Sequence, residues 1–368
     1  MVPGLIDMHL HLRDLFETTS DPIFESVGHG VTMGLSPGAA NTLPAPSLLG
    51  AEVDRGVPMN IGLYLGAAGV LATMATTEQL ISYFKGELDE EIGLDRMVRN
   101  SIVFQTANLI IGLKDHMGHF ILSDEDFERC YEISSKAQLV FMSHTQDPDH
   151  AERVVGLSKG RPIHLGHANA AGCGTHGDAK ESMERIVALL KQPQVTGELV
   201  TAMLRPGRGS WEGLLMPKEV QEVAYEALSE GVVDVLVSDG QGDATMKGFA
   251  DSRENIPCLL ELAEMEILSL PDSIATMTCN PARLIGELTG EDWWTKELGH
   301  LGAGARANVT VIDPLDKLAT VTIVNGVVAG FEDRNIAEAN GAGMWVSKFG
   351  LLERTGVGDF AIWAYHGA

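Results

Sequence analysis

No two of the four cysteines, Cys130, Cys173, Cys258 and Cys279, form a Cys-x-x-Cys pair, and they lie too far apart to read as a disulfide frame. They read as reduced thiols of a cytosolic protein. Basic charge is scarce: 26 Lys and Arg face 51 Asp and Glu, for a formal charge of −25. A surface this acidic repels nucleic acid and anionic membranes, which excludes both as main partners. The first residues hold no basic segment followed by an apolar core, so no signal peptide is read. No apolar run reaches the roughly 20 residues that span a bilayer. Short-period repeats and low-complexity tracts are also missing. These absences leave a soluble, cytoplasmic protein.

What is present is a large apolar fraction, 45% of 368 residues, enough for one big core with or without a small partner unit. Apolar runs alternate with helical patterns. Strands are predicted over residues 5–8, 31–35, 59–65, 109–113, 138–142, 162–166, 194–197 and 232–237. Helices are predicted over 21–30, 77–84, 124–136, 148–157, 178–190 and 217–230. The strands are continuous apolar runs, as expected where both faces are buried in a parallel sheet. Eight strand–helix units predict an α/β fold of the (β/α)₈ TIM-like barrel type. Further helices are read over 255–268 and 273–284. Strands over 307–311 and 320–324, with Asn325-Gly326 as a tight turn, predict a small β-rich accessory unit in the C-terminal segment. The expected division is a barrel over 1–290, the β unit over 291–335 and a tail over 336–368. Trp345, Phe349, Phe360, Trp363 and Tyr365 suggest that this tail docks.

The polar residues gather at the strand ends. The first strand runs into His9-Leu10-His11-Leu12-Arg13. In extended backbone, positions i and i+2 share a side, so His9 and His11 project together and Arg13 follows. Asn41 follows the second strand, Lys114 the fourth, His144 the fifth, His167 the sixth and Asp239 the eighth. A parallel barrel brings those ends to one face, where catalysis is placed. Each residue alone reads as a solvated strand end; together they predict a two-metal site. A lysine closing an apolar strand has its pKa lowered by burial. As a neutral amine, Lys114 can react with carbon dioxide to give an anionic, bridging carbamate. His164 and His167 lie an odd number of residues apart, so one of them is expected to be a ligand. His116, His119 and His176 sit in loops near strand ends and read as surface histidines, with lining of the pocket as the alternative. His29, His150, His300 and His366 read as incidental.

The set resembles the amidohydrolase superfamily, in particular its dihydroorotase and hydantoinase (dihydropyrimidinase) branch. The segment from Pro3 to Asp14 is close to that branch's opening motif. Ala40-Asn41-Thr42-Leu43-Pro44, Gly112-Leu113-Lys114, His167-Ala168-Asn169-Ala170, Thr196-Gly197-Glu198 and Val237-Ser238-Asp239 resemble its later strand ends. Asn280-Pro281-Ala282-Arg283 and Gly304–Val309 resemble its closing segments. The resemblance covers about residues 3–330 and favours His167 over His164. Relatives carry a β-segment ahead of the His-x-His strand, so the N-terminal part of the accessory unit is expected to be missing or reduced here.

The resemblance implies that His9, His11 and Asp239 hold one divalent cation and His144 and His167 a second. Carboxylated Lys114 would bridge two ions, zinc by default, that share a hydroxide. Asp239 would move the proton to the leaving nitrogen. Arg13 and Asn41 would hold a substrate carboxylate, with Arg205 and Arg208 as a second anion contact. The expected activity is hydrolysis of a cyclic amide C–N bond in a small carboxylate-bearing molecule. Two departures point away from dihydroorotate itself. Asp239-Gly240-Gln241-Gly242-Asp243 has no histidine after the aspartate, and neither does the stretch Leu199–Arg205. An N-acyl amino acid or dipeptide hydrolase of the same superfamily is the alternative, and a non-catalytic assembly relative a further one. Relatives suggest a homo-oligomer, a dimer or tetramer.

Overall fold

The computed structural model describes residues 1–14, 17, 19–38, 41–116, 122–207, 216–240 and 251–357. In chain order the strands are β1 (Val2–Pro3), β2 (Leu5–Asp7), β3 (Val31–Ser36), β4 (Asn60–Gly66), β5 (Gly112–Lys114), β6 (Val140–His144), β7 (Ile163–Gly166), β8 (Val195–Val200) and β9 (Val235–Val237). They are followed by β10 (Val309–Asp313), β11 (Leu318–Val324), β12 (Val327–Phe331), β13 (Arg334–Asn335), β14 (Trp345–Ser347) and β15 (Gly350–Leu352). Strands β2 to β9 pair in sequence order, all parallel. Helices fill the connections, and the strand interiors are almost wholly buried. This is the predicted (β/α)₈ barrel.

The seam between β9 and β2 is closed by side chains and a single bridge instead of a full ladder. Leu10 bridges Gly240, and the His11 N–H donates to Gly240 O at 2.9 Å. Below that bridge the buried Asp7 carboxylate accepts from the backbone N–H groups of His9 and Ser238 and from Asn255 Nδ2. Burial pushes the Asp7 carboxyl up to about 7 against these donors. The seam thereby fixes the first and last barrel strands beside each other, and with them His9, His11 and Asp239.

A separate antiparallel sheet, ordered β1-β10-β11-β12-β13, forms the accessory unit. The Asn325-Gly326 turn is as read from the sequence, with both residues at positive φ and Val324 paired with Val327. At the N-terminal end Val2 and Pro3 of β1 pair with Thr310 and Val309.

Among the boundaries that differ from the sequence reading, three do so because other groups claim the backbone. The fourth barrel strand starts at Gly112 instead of residue 109. Leu109 O accepts from Trp345 Nε1 and Ile110 O from the Lys348 N–H. The eighth starts at Val235, because the N–H groups of Val232 and Val233 turn back to Ala227 O. The helix expected over 273–284 is two, Leu270–Ala275 and Cys279–Thr289. In the break, Thr276 O and Met277 O accept from Leu236 and Ile6 of the barrel.

The C-terminal segment docks on the barrel itself. β14 pairs parallel to β4, and Trp345 is fully buried. Two glycines permit this approach: a Cβ on Gly62 would meet Val346 O at 2.6 Å, and one on Gly343 would meet Met59 O at 2.0 Å. Phe349 is exposed, whereas Phe360, Trp363 and Tyr365 lie outside the described residues. Among the described residues no helix is long and apolar enough to cross a membrane.

Candidate metal centre at the C-terminal face of the barrel

β2 delivers His9 and His11, both buried, to the C-terminal mouth of the barrel. Each imidazole is held through Nδ1 by a carboxylate: His9 by Glu198 and His11 by Asp14, the latter at 2.6 Å. A carboxylate only accepts, so each Nδ1 is a donor, and each Nε2 is the ring atom turned towards the cluster. Both Nε2 atoms face one oxygen, Asp239 Oδ1, at 3.2 Å each. Lys114 Nζ lies 2.9 Å from His9 Nε2, and the lysine is 1% exposed. His167 Nε2 faces His144 Nδ1 at 2.9 Å. The ligand atoms of His9, His167 and Asp239 fall within 4.8 Å of one another, a group able to hold a metal ion. Histidine that donates one ring nitrogen to a carboxylate and presents the other is the usual form of a metal ligand. The donor set therefore fits a divalent cation.

The backbone cooperates. His167 (φ 39°) and Asp239 (φ 51°) both adopt left-handed conformations just past their strands. Such strain in residues with side chains collects at functional sites.

The charges follow from burial and neighbours. Burial, then the nearby Lys114, lowers the pKa of His9. Burial also lowers Lys114, against the pull of Asp239 and Glu198. Burial and Lys114 push His144 down to about 4. Burial pulls His11 down as well, but Asp14 and Asp239 overcome it and raise it to about 9. Burial opposes the charge of Asp239, and the histidines outweigh it and hold the carboxyl well below its usual range.

The remaining expected site residues are placed differently. Asn41 donates from Nδ2 to Tyr64 O (3.3 Å) and Ser36 Oγ (3.4 Å). With Lys114, Asp115 and His116 it lines a cavity of about 400 Å³, otherwise walled mainly by small apolar groups such as Ala67, Ala68 and Ala72. Arg13 does not continue the extended strand: its φ is 48°, and its 42%-exposed side chain pairs with Glu52. Arg205 is forked on Glu261 and also paired with Glu254. Arg208, His119 and His366 lie outside the described residues, as do residues 241–243 after Asp239.

Two histidine readings change. His116 is buried, contacts Gly38 O at 2.8 Å and lines the cavity, so it is no surface residue. His150 is not incidental: its Nε2 lies 2.9 Å from Asp115 Oδ2, while Asp115 Oδ1 accepts the His144 N–H. His176 is part-exposed, as read. The residues missed by sequence reasoning are the carboxylates behind the imidazoles: Asp14, Asp115 and Glu198. Their signal was available, since Asp115 and Glu198 are acidic residues closing or interrupting apolar strands.

A closed parallel barrel with three buried imidazoles, a buried lysine and an aspartate gathered at its C-terminal mouth defines a barrel hydrolase with a candidate metal centre. The chain belongs to the amidohydrolase family, whose profile matches residues 1–339, and to its dihydroorotase/hydantoinase-like branch. It is similar to the dihydroorotase of Geobacter metallireducens, at 22% identity over 392 residues, covering 92% of this chain and 85% of that protein. Among solved structures it is similar to a D-hydantoinase (TM-score 0.64, 14% identity, 96% of this chain and 88% of the other). A dihydropyrimidinase from Brevibacillus agri NCHU1002 is comparable (TM-score 0.62, 16% identity, 94% and 87%).

Proposed function

We propose that the chain is a divalent-metal-dependent hydrolase that opens the C–N bond of a small cyclic amide bearing a carboxylate. One observation carries the reading: the Nε2 atoms of His9 and His11 converge on Asp239 Oδ1, with Lys114 Nζ beside them. His9, His11 and Asp239 would hold one cation, and His144 and His167 a second. Lys114 would bridge them after its neutral Nζ bonds to the carbon of carbon dioxide and releases a proton. Burial lowers the pKa of that amine, which favours its neutral, reactive form. Bound cations would supply carbonyl polarisation and acidification of water.

The chain's own residues do the rest. Asp239 accepts one proton of the attacking water and returns it to the leaving nitrogen as the C–N bond breaks, so the amide becomes an amine and a carboxylic acid, which then loses its proton to solvent. Asn41 faces the cavity beside Lys114 and offers its amide to the substrate. Arg13 supplies a guanidinium for the substrate carboxylate once it leaves Glu52. The names of the relatives support a cyclic amide.

The test is a substrate panel run on the zinc-loaded protein: hydantoins, dihydropyrimidines, dihydroorotate and open-chain N-acyl amino acids. Turnover of a ring substrate, lost on chelation and restored by zinc, is the expected result. Turnover of open-chain substrates alone would move the reading to an N-acyl amino acid hydrolase.

A further inference from the structure

Glu198 touches more of the candidate centre than its place in the chain suggests. It sits on β8, fully buried, and contributes no atom to the cluster of Nε2 and Oδ groups. Its Oε1 meets His9 Nδ1 and also accepts the backbone N–H of His167 at 3.2 Å. Its Oε2 lies 3.1 Å from His164 Nε2, and His164 Nδ1 lies 3.0 Å from Thr196 Oγ1. One carboxylate on β8 thus joins residues from two other barrel strands: His9 after β2, and His164 in and His167 just past β7.

A buried carboxylate without donors is expensive, whereas one with three donors is stable and rigid. Here two of the three donors belong to residues assigned as ligands of different cations. The contact to His9 fixes which ring nitrogen carries the proton, so that Nε2 keeps its lone pair for the cluster. The contact to His167 fixes a backbone held at positive φ. The third donor, His164, presents no atom to the cluster and instead orients Glu198.

We propose that Glu198, oriented by His164, is a positioning residue that sets the His9 tautomer and the His167 backbone together, and so couples the two halves of the metal centre. This rests on the metal reading above. Loss of such an outer partner typically lowers metal affinity or activity about 10- to 100-fold. An Asp115–His150 pair, with Asp115 accepting the backbone N–H of His144, is a similar arrangement, while Glu198 contacts two expected ligands, His9 and His167.

The experiment compares wild type, Glu198→Gln, His164→Phe and the double variant, by zinc titration calorimetry on apoprotein and by long-range ¹H–¹⁵N NMR of the His9 ring. The expected result is about 10- to 100-fold weaker zinc binding in Glu198→Gln, with folding retained. A smaller loss is expected in His164→Phe, and the double variant should lose less than the sum. In apo wild type, His9 should be the Nδ1–H tautomer, becoming mixed in Glu198→Gln. Wild-type zinc affinity and an unchanged His9 tautomer in Glu198→Gln would overturn the proposal while leaving the metal reading intact. If wild type binds no cation yet His9 shows the tautomer change, the metal reading fails and the positioning role stands. Should Glu198→Gln not fold, His164→Phe decides: unaltered zinc affinity there overturns the coupling.

Discussion

Lys114 Nζ and His9 Nε2 lie 2.9 Å apart, although 105 residues separate them in the chain. The contact crosses the barrel mouth from the fourth strand to the first, and both side chains are buried. Burial lowers the pKa of both groups against the pull of the nearby Asp239 and Glu198 carboxylates. An amine shifted in that direction gives up its proton more readily for further chemistry.

Lys114→Ala tests that chemistry. Turnover should fall by more than about 100-fold, since loss of an outer partner alone reaches that range. Short carboxylic acids such as acetate or propionate should restore part of it by entering the space left. Unchanged turnover would mean that Lys114 is no ligand.

Zinc affinity should rise with pH. In the apoprotein Asp14 and Asp239 raise His11 to about 9, so a proton must leave Nε2 before a cation binds there. The formation of a carbamate on Lys114 releases another. Calorimetry in buffers of different ionisation enthalpy should register net proton release from pH 6 to 8, shrinking towards pH 9. A release that is zero throughout this range would contradict the assignment of His11.

Asn41→Ala should raise KM about 10-fold or more with a smaller change in kcat, as expected for loss of a hydrogen bond to a charged group. Arg13→Met should also raise KM. Its melting temperature should barely move, because the pair with Glu52 is part-exposed and such pairs contribute little. An unchanged KM in both variants would remove the carboxylate from the proposed substrate.

The C-terminal segment offers a test away from the site. Lys348 donates from Nζ to Ala137 O, and burial lowers it to about 8. Its folded value lies below its unfolded one, so burial of the charged form destabilises the protein below pH 8. That penalty is relieved as pH rises from about 8 to 10.5. The melting temperature of wild type minus that of Lys348→Met should therefore increase over this window. A difference flat with pH would show that Lys348 is not held in a desolvated position.

The barrel was legible because its strands are unbroken apolar runs, and the polar cluster at its mouth because polar residues close them. His9, His11, Lys114, His167 and Asp239 meet for that reason. Arg13 was misjudged in geometry: extended backbone was assumed to continue, but the chain turns to positive φ there. His116 was read as a surface residue and His150 as incidental because nothing local reveals that Gly38 O and Asp115 face them from elements far away in sequence. Glu198 was noticed as part of a strand end, yet its contacts with His9 and His167 depend on three strands at once. The insertion of β14 beside β4 was equally hidden. It depends on the absence of side chains at Gly62 and Gly343, which a strand pattern alone does not reveal.

The most direct test of the proposed binuclear centre is the metal stoichiometry of protein refilled with zinc after chelation, measured by mass spectrometry of the elements with bicarbonate present. Two zinc ions per chain, falling to one or none in Lys114→Ala, is the expected result. No retained zinc in the wild-type protein would contradict it.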